Sequence, residues 1–235
     1  QRVLGGSKEY EYKRINTLSL LADGDFGVLV MSADSAVCYT SDIQAVKNSK
    51  ISLACGTELK TSEFFHLLDD CGYKRSELCE GEGQYSVRGG IIDIFPVNLK
   101  KPVRIELWGD EIDTMSEFDP IDQRRTDPVD GFDIFPAKEL IFDKAQLAKN
   151  ISLFIEKNEN DISEKQKRYM RRDIETLENC GDISADIYIP LIYSKKCSVF
   201  DYIKDIPIFV FESQNCFSRL KSLSKLHNED ISVLL

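Results

Sequence analysis

The strongest constraint on the fold is a change of sequence pattern between Tyr73 and Pro136. Over this stretch, short runs of β-forming residues alternate with Gly, Pro and Asp, which is typical of strands joined by tight turns. The pattern predicts a small, mostly antiparallel domain. Its predicted strands cover residues 73–78, 84–88, 91–95, 103–108, 111–118 and 132–135.

Patterns of a different kind flank this β-rich segment. Continuous apolar runs at 28–31 and 206–211 have the length and composition of buried strands in a parallel sheet. We therefore predict an α/β protein in which the β-rich segment and a small helical segment interrupt a parallel-sheet domain whose two ends are residues 1–60 and 183–235. Apolar residues near a period of 3.6 predict helices around 8–22, 61–72, 147–155, 170–177 and 213–226.

Composition excludes several functional classes. The 235 residues include 40 Asp and Glu against 30 Lys and Arg, a formal net charge of −10, which opposes general attraction to nucleic acid. Seven cysteines without a C-x-x-C pair, and only two histidines, lack the spacing of a zinc site or a disulfide framework. The sequence has neither an apolar run of membrane-spanning length nor a secretory signal. We therefore expect no metal and no membrane, and either a cytoplasmic protein or a piece cut from a longer one.

Three ordered motifs in the β-rich segment resemble a known family. They are Gly83-Gln-Tyr-Ser-Val-Arg-Gly-Gly-Ile-Ile-Asp-Ile-Phe-Pro, Pro102-Val-Arg-Ile-Glu-Leu-Trp-Gly-Asp-Glu-Ile-Asp and Phe118-Asp-Pro-Ile-Asp-Gln-Arg. The first two are similar to the second domain of the repair helicase UvrB and, more closely, to the UvrB-homology module of the transcription-repair coupling factor (Mfd) family. The third motif and Phe135-Pro-Ala-Lys-Glu-Leu favour the coupling factors.

The resemblance implies a domain organisation and a role. Residues 1–60 and 183–235 would form part of a UvrB-like domain 1A, residues 61–140 the UvrA-binding domain 2, and residues 141–182 a helical segment similar to domain 1B. The family's RNA-polymerase-binding domain and ATP-driven DNA translocase are not recognisable in this sequence, which resembles an excised N-terminal fragment. The implied function is to recruit UvrA to a lesion-stalled RNA polymerase in nucleotide excision repair.

The first domain of UvrB binds a nucleotide, but this sequence lacks the residues for that chemistry. No G-x-x-x-x-G-K-[ST] string occurs, and Leu4-Gly-Gly-Ser-Lys has the residue types of a phosphate loop in the wrong order. Phe211 stands where the UvrB pattern has a magnesium-positioning carboxylate, and a phenyl ring does not ligate a hard cation. We therefore expect a degenerate P-loop-like domain, no cofactor and no catalysis by this chain.

Three residues of the second domain are the predicted partner-binding site. Arg104 and Trp108 are four residues apart on one strand and hence on one face, and Arg88 lies on a neighbouring strand. The resemblance assigns this trio to UvrA binding. In the structural alternative, the arginines pair across strands with Glu106, Glu111 or Asp113, and Trp108 covers an edge of the core.

Two other functions stay open at this point. The chain could derive from UvrB itself, an ATP-dependent damage-verifying helicase, although the Asp-Gln-Arg element of the third motif argues against it. Alternatively, the basic run Lys165, Lys167, Arg168, Arg171 and Arg172 could contact DNA directly. Neighbouring acidic residues make a solvated helix face the simpler interpretation of that run.

Overall fold

The computed structural model describes residues 8–179, 181–193 and 195–234, with side chains through residue 224. Apolar periodicity and N-terminal caps fix most helices: Asp143 and Ser163, for example, each accept a backbone hydrogen bond from the first turn that follows. The α-helices are α1 (Lys8–Asp23), α2 (Ala33–Val37), α3 (Ile43–Asn48), α4 (Thr61–Asp70), α5 (Lys144–Lys157), α6 (Glu164–Glu178), α7 (Ile189–Ile192), α8 (Val199–Tyr202) and α9 (Ser213–Leu234).

A six-stranded sheet dominates the middle of the chain. Its strand order follows the sequence, and all neighbouring strands are antiparallel except the first pair. The strands are β3 (Lys74–Arg75), β4 (Gln84–Arg88), β5 (Ile91–Phe95), β6 (Val103–Trp108), β7 (Glu111–Phe118) and β8 (Arg125–Pro128). The predicted mixed α/β composition and the mostly antiparallel domain are therefore confirmed.

One face of this sheet forms the largest hydrophobic core. Because side chains alternate along a strand, Ile92 and Ile105 point to the same face, where they pack with Phe64 and Leu68 of α4. A second, two-stranded antiparallel sheet of β2 (Ile51–Ala54) and β9 (Gly131–Ile134) contributes to the same core. The last predicted β-segment, 132–135, thus pairs with β2 rather than with the large sheet.

Two smaller hydrophobic clusters lie outside the β-rich part. One joins α1, α3 and α8 through residues such as Ile15, Val46 and Tyr202. The other joins α5, α6 and the short helices after them, with Ile151 and Leu177 fully or almost fully buried. A pair of short strands, β1 (Tyr39–Thr40) and β10 (Cys197–Ser198), connects sequence-distant parts of the chain.

The two predicted parallel strands are a point of difference. Residues 28–31 and 206–211 belong to no strand in the described structure. Val28 and Val30 are 85% and 88% exposed, and Phe209 and Phe211 are 81% and 83% exposed. An apolar run becomes a buried strand only when neighbouring strands hydrogen-bond to it, and the described residues supply no such neighbours. The predicted parallel sheet was therefore wrong for the described residues.

Candidate partner-binding surface

The second face of the large sheet is polar and carries all three predicted site residues. The turn at Gly89 and Gly90, where Gly89 has φ = 61°, joins β4 to β5 and pairs Arg88 with Ile91. The same register places Asp93 opposite Arg104 on β6. Since the core residues occupy the alternate positions, these polar side chains share the face opposite the core.

Asp93 binds both arginines of the predicted site. Its carboxylate is 1% exposed; it accepts hydrogen bonds from Arg104 Nε at 2.6 Å and Nη2 at 2.9 Å, and from Arg88 Nη2 at 2.8 Å. A bidentate guanidinium together with a second arginine is the kind of compensation that a buried carboxylate requires. The buried acid therefore fixes the positions of the two arginines relative to each other.

Arg104 is enclosed by its contacts. Its side chain is only 12% exposed, its guanidinium carbon lies 4.7 Å from the centroid of the Phe118 ring, and Nη1 donates to the carbonyl oxygen of Gln123 at 3.2 Å. The hydrogen bonds to Asp93 raise the pKa of this guanidinium above its ordinary value. In this structure Arg104 organises the surface, and it offers a partner little free guanidinium.

Arg88 and Trp108 are the accessible members of the trio. The Arg88 side chain is 48% exposed and uses only Nη2 for Asp93, so its remaining donors make no hydrogen bond to the described residues. Trp108 is 83% exposed and does not cover an edge of the core. The arginines pair across strands, as the structural alternative expected, but with Asp93 instead of Glu106, Glu111 or Asp113.

The surface also contains Asp93 and Arg125, which sequence reasoning missed. Glu106, on the same face as Arg104, forms an ion pair with Arg125 of β8 and accepts a hydrogen bond from Thr114 at 3.3 Å. Asp93 itself had a visible signal, because it is the one charged residue in the apolar run of β5. A buried position for a charged residue implies a paired charge.

The competing sites are less organised. Within the basic run of α6, Lys167 is buried and bonds Glu164 at 2.8 Å, while Arg172 lies 3.9 Å from Asp173. The run is therefore partly neutralised by its own helix. The Leu4 to Ser7 portion of the loop-like string lies outside the described residues, and Phe211 lies on an exposed segment. Among the described residues, no cluster of three His, Cys, Asp or Glu could hold a metal ion, and no helix has the length and hydropathy to span a membrane.

Comparison with known families shows what the β-rich part of the chain is similar to. Residues 51–140 match the family described as the UvrB interaction domain. This range contains both the large sheet and the β2–β9 pair. This part of the chain is therefore similar to the UvrB interaction domains.

Similarity to individual proteins extends well beyond that domain. The transcription-repair-coupling factor of Bacillus subtilis (strain 168) is 28% identical over 239 residues, covering 97% of this chain and 20% of the relative. That of Staphylococcus aureus (strain NCTC 8325 / PS 47) is 36% identical over 129 residues, covering 55% of this chain and 11% of the relative. The chain is thus related over nearly its whole length to transcription-repair-coupling factors and spans about a fifth of the first of these relatives.

Proposed function

We propose that this chain is a non-catalytic recruitment module that binds UvrA. In this proposal the β-rich domain imitates UvrB, and UvrA is brought to an RNA polymerase stalled at a lesion during nucleotide excision repair. The match to the UvrB interaction domain and the names of the relatives support the proposal. RNA polymerase and DNA would be bound through other domains of a longer protein. Bacterial cytoplasm is the compartment where such a role is exercised.

The observation that carries the proposal is an exposed indole on the same sheet face as an anchored pair of arginines. Trp108 is 83% exposed on a strand whose opposite face is core, and Arg88 is held by the buried carboxylate of Asp93. Trp and Arg are enriched among residues that dominate binding energy. A rigid backbone and fixed neighbours lower the entropy that is lost on association.

Within this proposal, Arg88 and Trp108 contact UvrA, and Arg104 acts as a positioning residue. Arg88 has donors that make no hydrogen bond to the described residues, and these can form a charge-assisted hydrogen bond with a partner carboxylate. Arg104 keeps Asp93 neutralised, so that Asp93 continues to orient Arg88. This division of roles refines the sequence-based prediction, in which all three side chains face the partner.

The other parts of the chain are assigned a supporting role. We propose residues 61–140 as the UvrA-binding domain, residues 141–182 as the helical segment, and residues 1–60 and 183–235 as parts of a degenerate UvrB-like domain 1A. Replacement of a metal-positioning carboxylate by Phe211 argues for a scaffold that neither binds nor hydrolyses nucleotide. No cofactor enters the proposed role.

A pull-down of purified UvrA on the immobilised chain tests this function. We expect wild type to retain UvrA, and Arg88→Ala and Trp108→Ala each to weaken binding by about 2 kcal/mol, roughly thirtyfold in Kd. Arg168→Ala and Phe209→Ala are matched controls, because they remove an exposed arginine and an 81% exposed aromatic ring outside the surface. Failure of wild type to retain UvrA would refute the proposal.

A further inference from the structure

Two large apolar side chains of the β-rich domain are almost fully exposed to solvent. Among the large apolar residues of 51–140, every one of which the structure describes, only Trp108 at 83% and Ile121 at 92% are more than four-fifths exposed. Single exposed apolar residues are common. Ile121 lies on the loop of residues 119–124 between β7 and β8. The backbone of this loop is held by hydrogen bonds, which sets Ile121 apart from a mobile surface residue.

This loop is ordered by its own hydrogen bonds. The Asp119 carboxylate accepts from the backbone nitrogen of Ile121 at 2.7 Å, and the Asp119 backbone closes the loop through Asp119 N to Arg124 O at 2.9 Å and Gln123 N to Asp119 O at 2.8 Å. Gln123 adopts the left-handed region at φ = 63°, and its side chain donates to Pro120 O at 2.8 Å. These hydrogen bonds hold the backbone around Ile121 in one conformation.

Arg104 joins this loop to the polar face of the sheet. The guanidinium that binds Asp93 also donates through Nη1 to Gln123 O at 3.2 Å. The loop therefore meets the Arg104 end of the face, while Trp108 lies four residues further along β6, about 13 Å away at the rise of an extended strand. Glu106 lies between these two ends on β6, and Arg88 lies level with Glu106 two strands away, on β4.

We infer that the loop tip at Ile121 is a second apolar anchor of the partner surface, so that UvrA binds both ends of this face. The inference rests on the proposed function and extends it. Stable protein interfaces bury about 800 Å² on each partner, which is more than Trp108 and one arginine supply. Ile121 adds apolar contact area at the end of the face that is opposite Trp108. Arg124 and Arg125, with side chains 84% and 53% exposed, lie where the loop meets β8 and form ion pairs with Asp122 and Glu106.

The charge and shape of this surface specify the matching site on UvrA. It should offer an apolar recess for Ile121 with a polar rim that meets the Arg124–Asp122 and Arg125–Glu106 ion pairs. Because Asp119 already fixes the loop, little entropy is lost when the tip docks. Arg104 then has two positioning tasks, since it holds Asp93 near Arg88 and the loop near the sheet.

Titration of purified UvrA with Ile121→Ser tests the inference. We expect binding about tenfold weaker than wild type with an unchanged melting temperature, because a 92% exposed side chain contributes little to packing. Val30→Ser is the matched control, since Val30 is a β-branched residue that is 88% exposed outside this face; it should leave UvrA affinity unchanged.

The outcomes separate this inference from the proposed function. If wild type binds UvrA and Ile121→Ser changes Kd by less than twofold, the second anchor is refuted while the Trp108 surface stands. An equal loss in Val30→Ser would also refute it, because the effect would not be specific to the loop. If wild type does not bind UvrA, the proposed function fails and the inference fails with it.

Discussion

Replacing Arg104 with alanine should destabilise the protein more than any other change in the trio. The substitution removes two hydrogen bonds to Asp93, at 2.6 and 2.9 Å, and a third to Gln123. It leaves a carboxylate that is 1% exposed with Arg88 as its remaining cation. Removing one partner of a buried ion pair costs about 3 to 5 kcal/mol, and the retained Arg88 bond favours the lower end, about 3 kcal/mol.

Arg88→Ala and Trp108→Ala should each destabilise the protein less than Arg104→Ala. Arg88 makes one hydrogen bond to Asp93 and is 48% exposed, so its loss should cost about 1 kcal/mol. Trp108 is 83% exposed, and its truncation should change stability by no more than about 0.5 kcal/mol. The predicted order of destabilisation is therefore Arg104, then Arg88, then Trp108.

Thermal unfolding followed by circular dichroism measures this order. For a chain of this size, about 3 kcal/mol corresponds to a decrease in Tm of about 6 to 12 °C. Tryptophan emission is unsuitable as the probe, because the one tryptophan is exposed in the folded state. If Arg104→Ala melts within about 2 °C of wild type, or above Arg88→Ala, Asp93 does not depend on Arg104 and the assigned positioning role is wrong.

Three further predictions concern nucleotide, DNA and pH. Calorimetric titration with Mg-ATP should give no saturable heat, and a micromolar isotherm would contradict the degenerate-domain proposal. Electrophoretic mobility shifts near physiological salt should show weak or no binding of intact or damaged DNA, because the net charge is −10. Tight binding that Arg168→Ala and Arg171→Ala abolish would instead identify α6 as a DNA-binding helix. Burial raises the pKa of Cys79 from about 9 to about 12 and that of Cys71 to about 11. The folded state thus keeps protons on these two thiols that the unfolded state loses. Their contribution to the free energy of unfolding should be fully present below about pH 9 and should be lost as the pH rises toward 11 to 12. A Tm that stays constant from pH 8 to 10.5 would contradict this. So would a Tm that decreases with pH as steeply in Cys79→Ala as in wild type.

Much of the β-rich domain was predictable from the sequence. The predicted strands 84–88, 91–95, 103–108 and 111–118 are confirmed with the same bounds in the structure. Alternating apolar residues specify the buried face of each strand, and the glycines at 89–90 and 109 mark tight turns. These are local signals, which explains why they can be recognised without knowledge of the tertiary structure.

The sequence was less informative where structure depends on distant partners. The apolar runs at 28–31 and 206–211 predict strands, but strand formation requires a pairing edge, and the described residues do not provide one. The pairing of Asp93 with Arg88 and Arg104 shows the same limitation. Alternation places Asp93 and Arg104 on compatible faces, but their pairing depends on the register across the connection 96–102, and register across such a loop is not a local property.

Competition between this chain and UvrB for UvrA tests the central claim most directly. The chain, labelled at its N-terminus, is bound to UvrA at a concentration near its Kd and titrated with unlabelled UvrB while fluorescence anisotropy is followed. Our account predicts saturable binding to UvrA and complete displacement by UvrB, because both would occupy the same surface. Absence of binding, or a chain that stays bound at saturating UvrB, would contradict it.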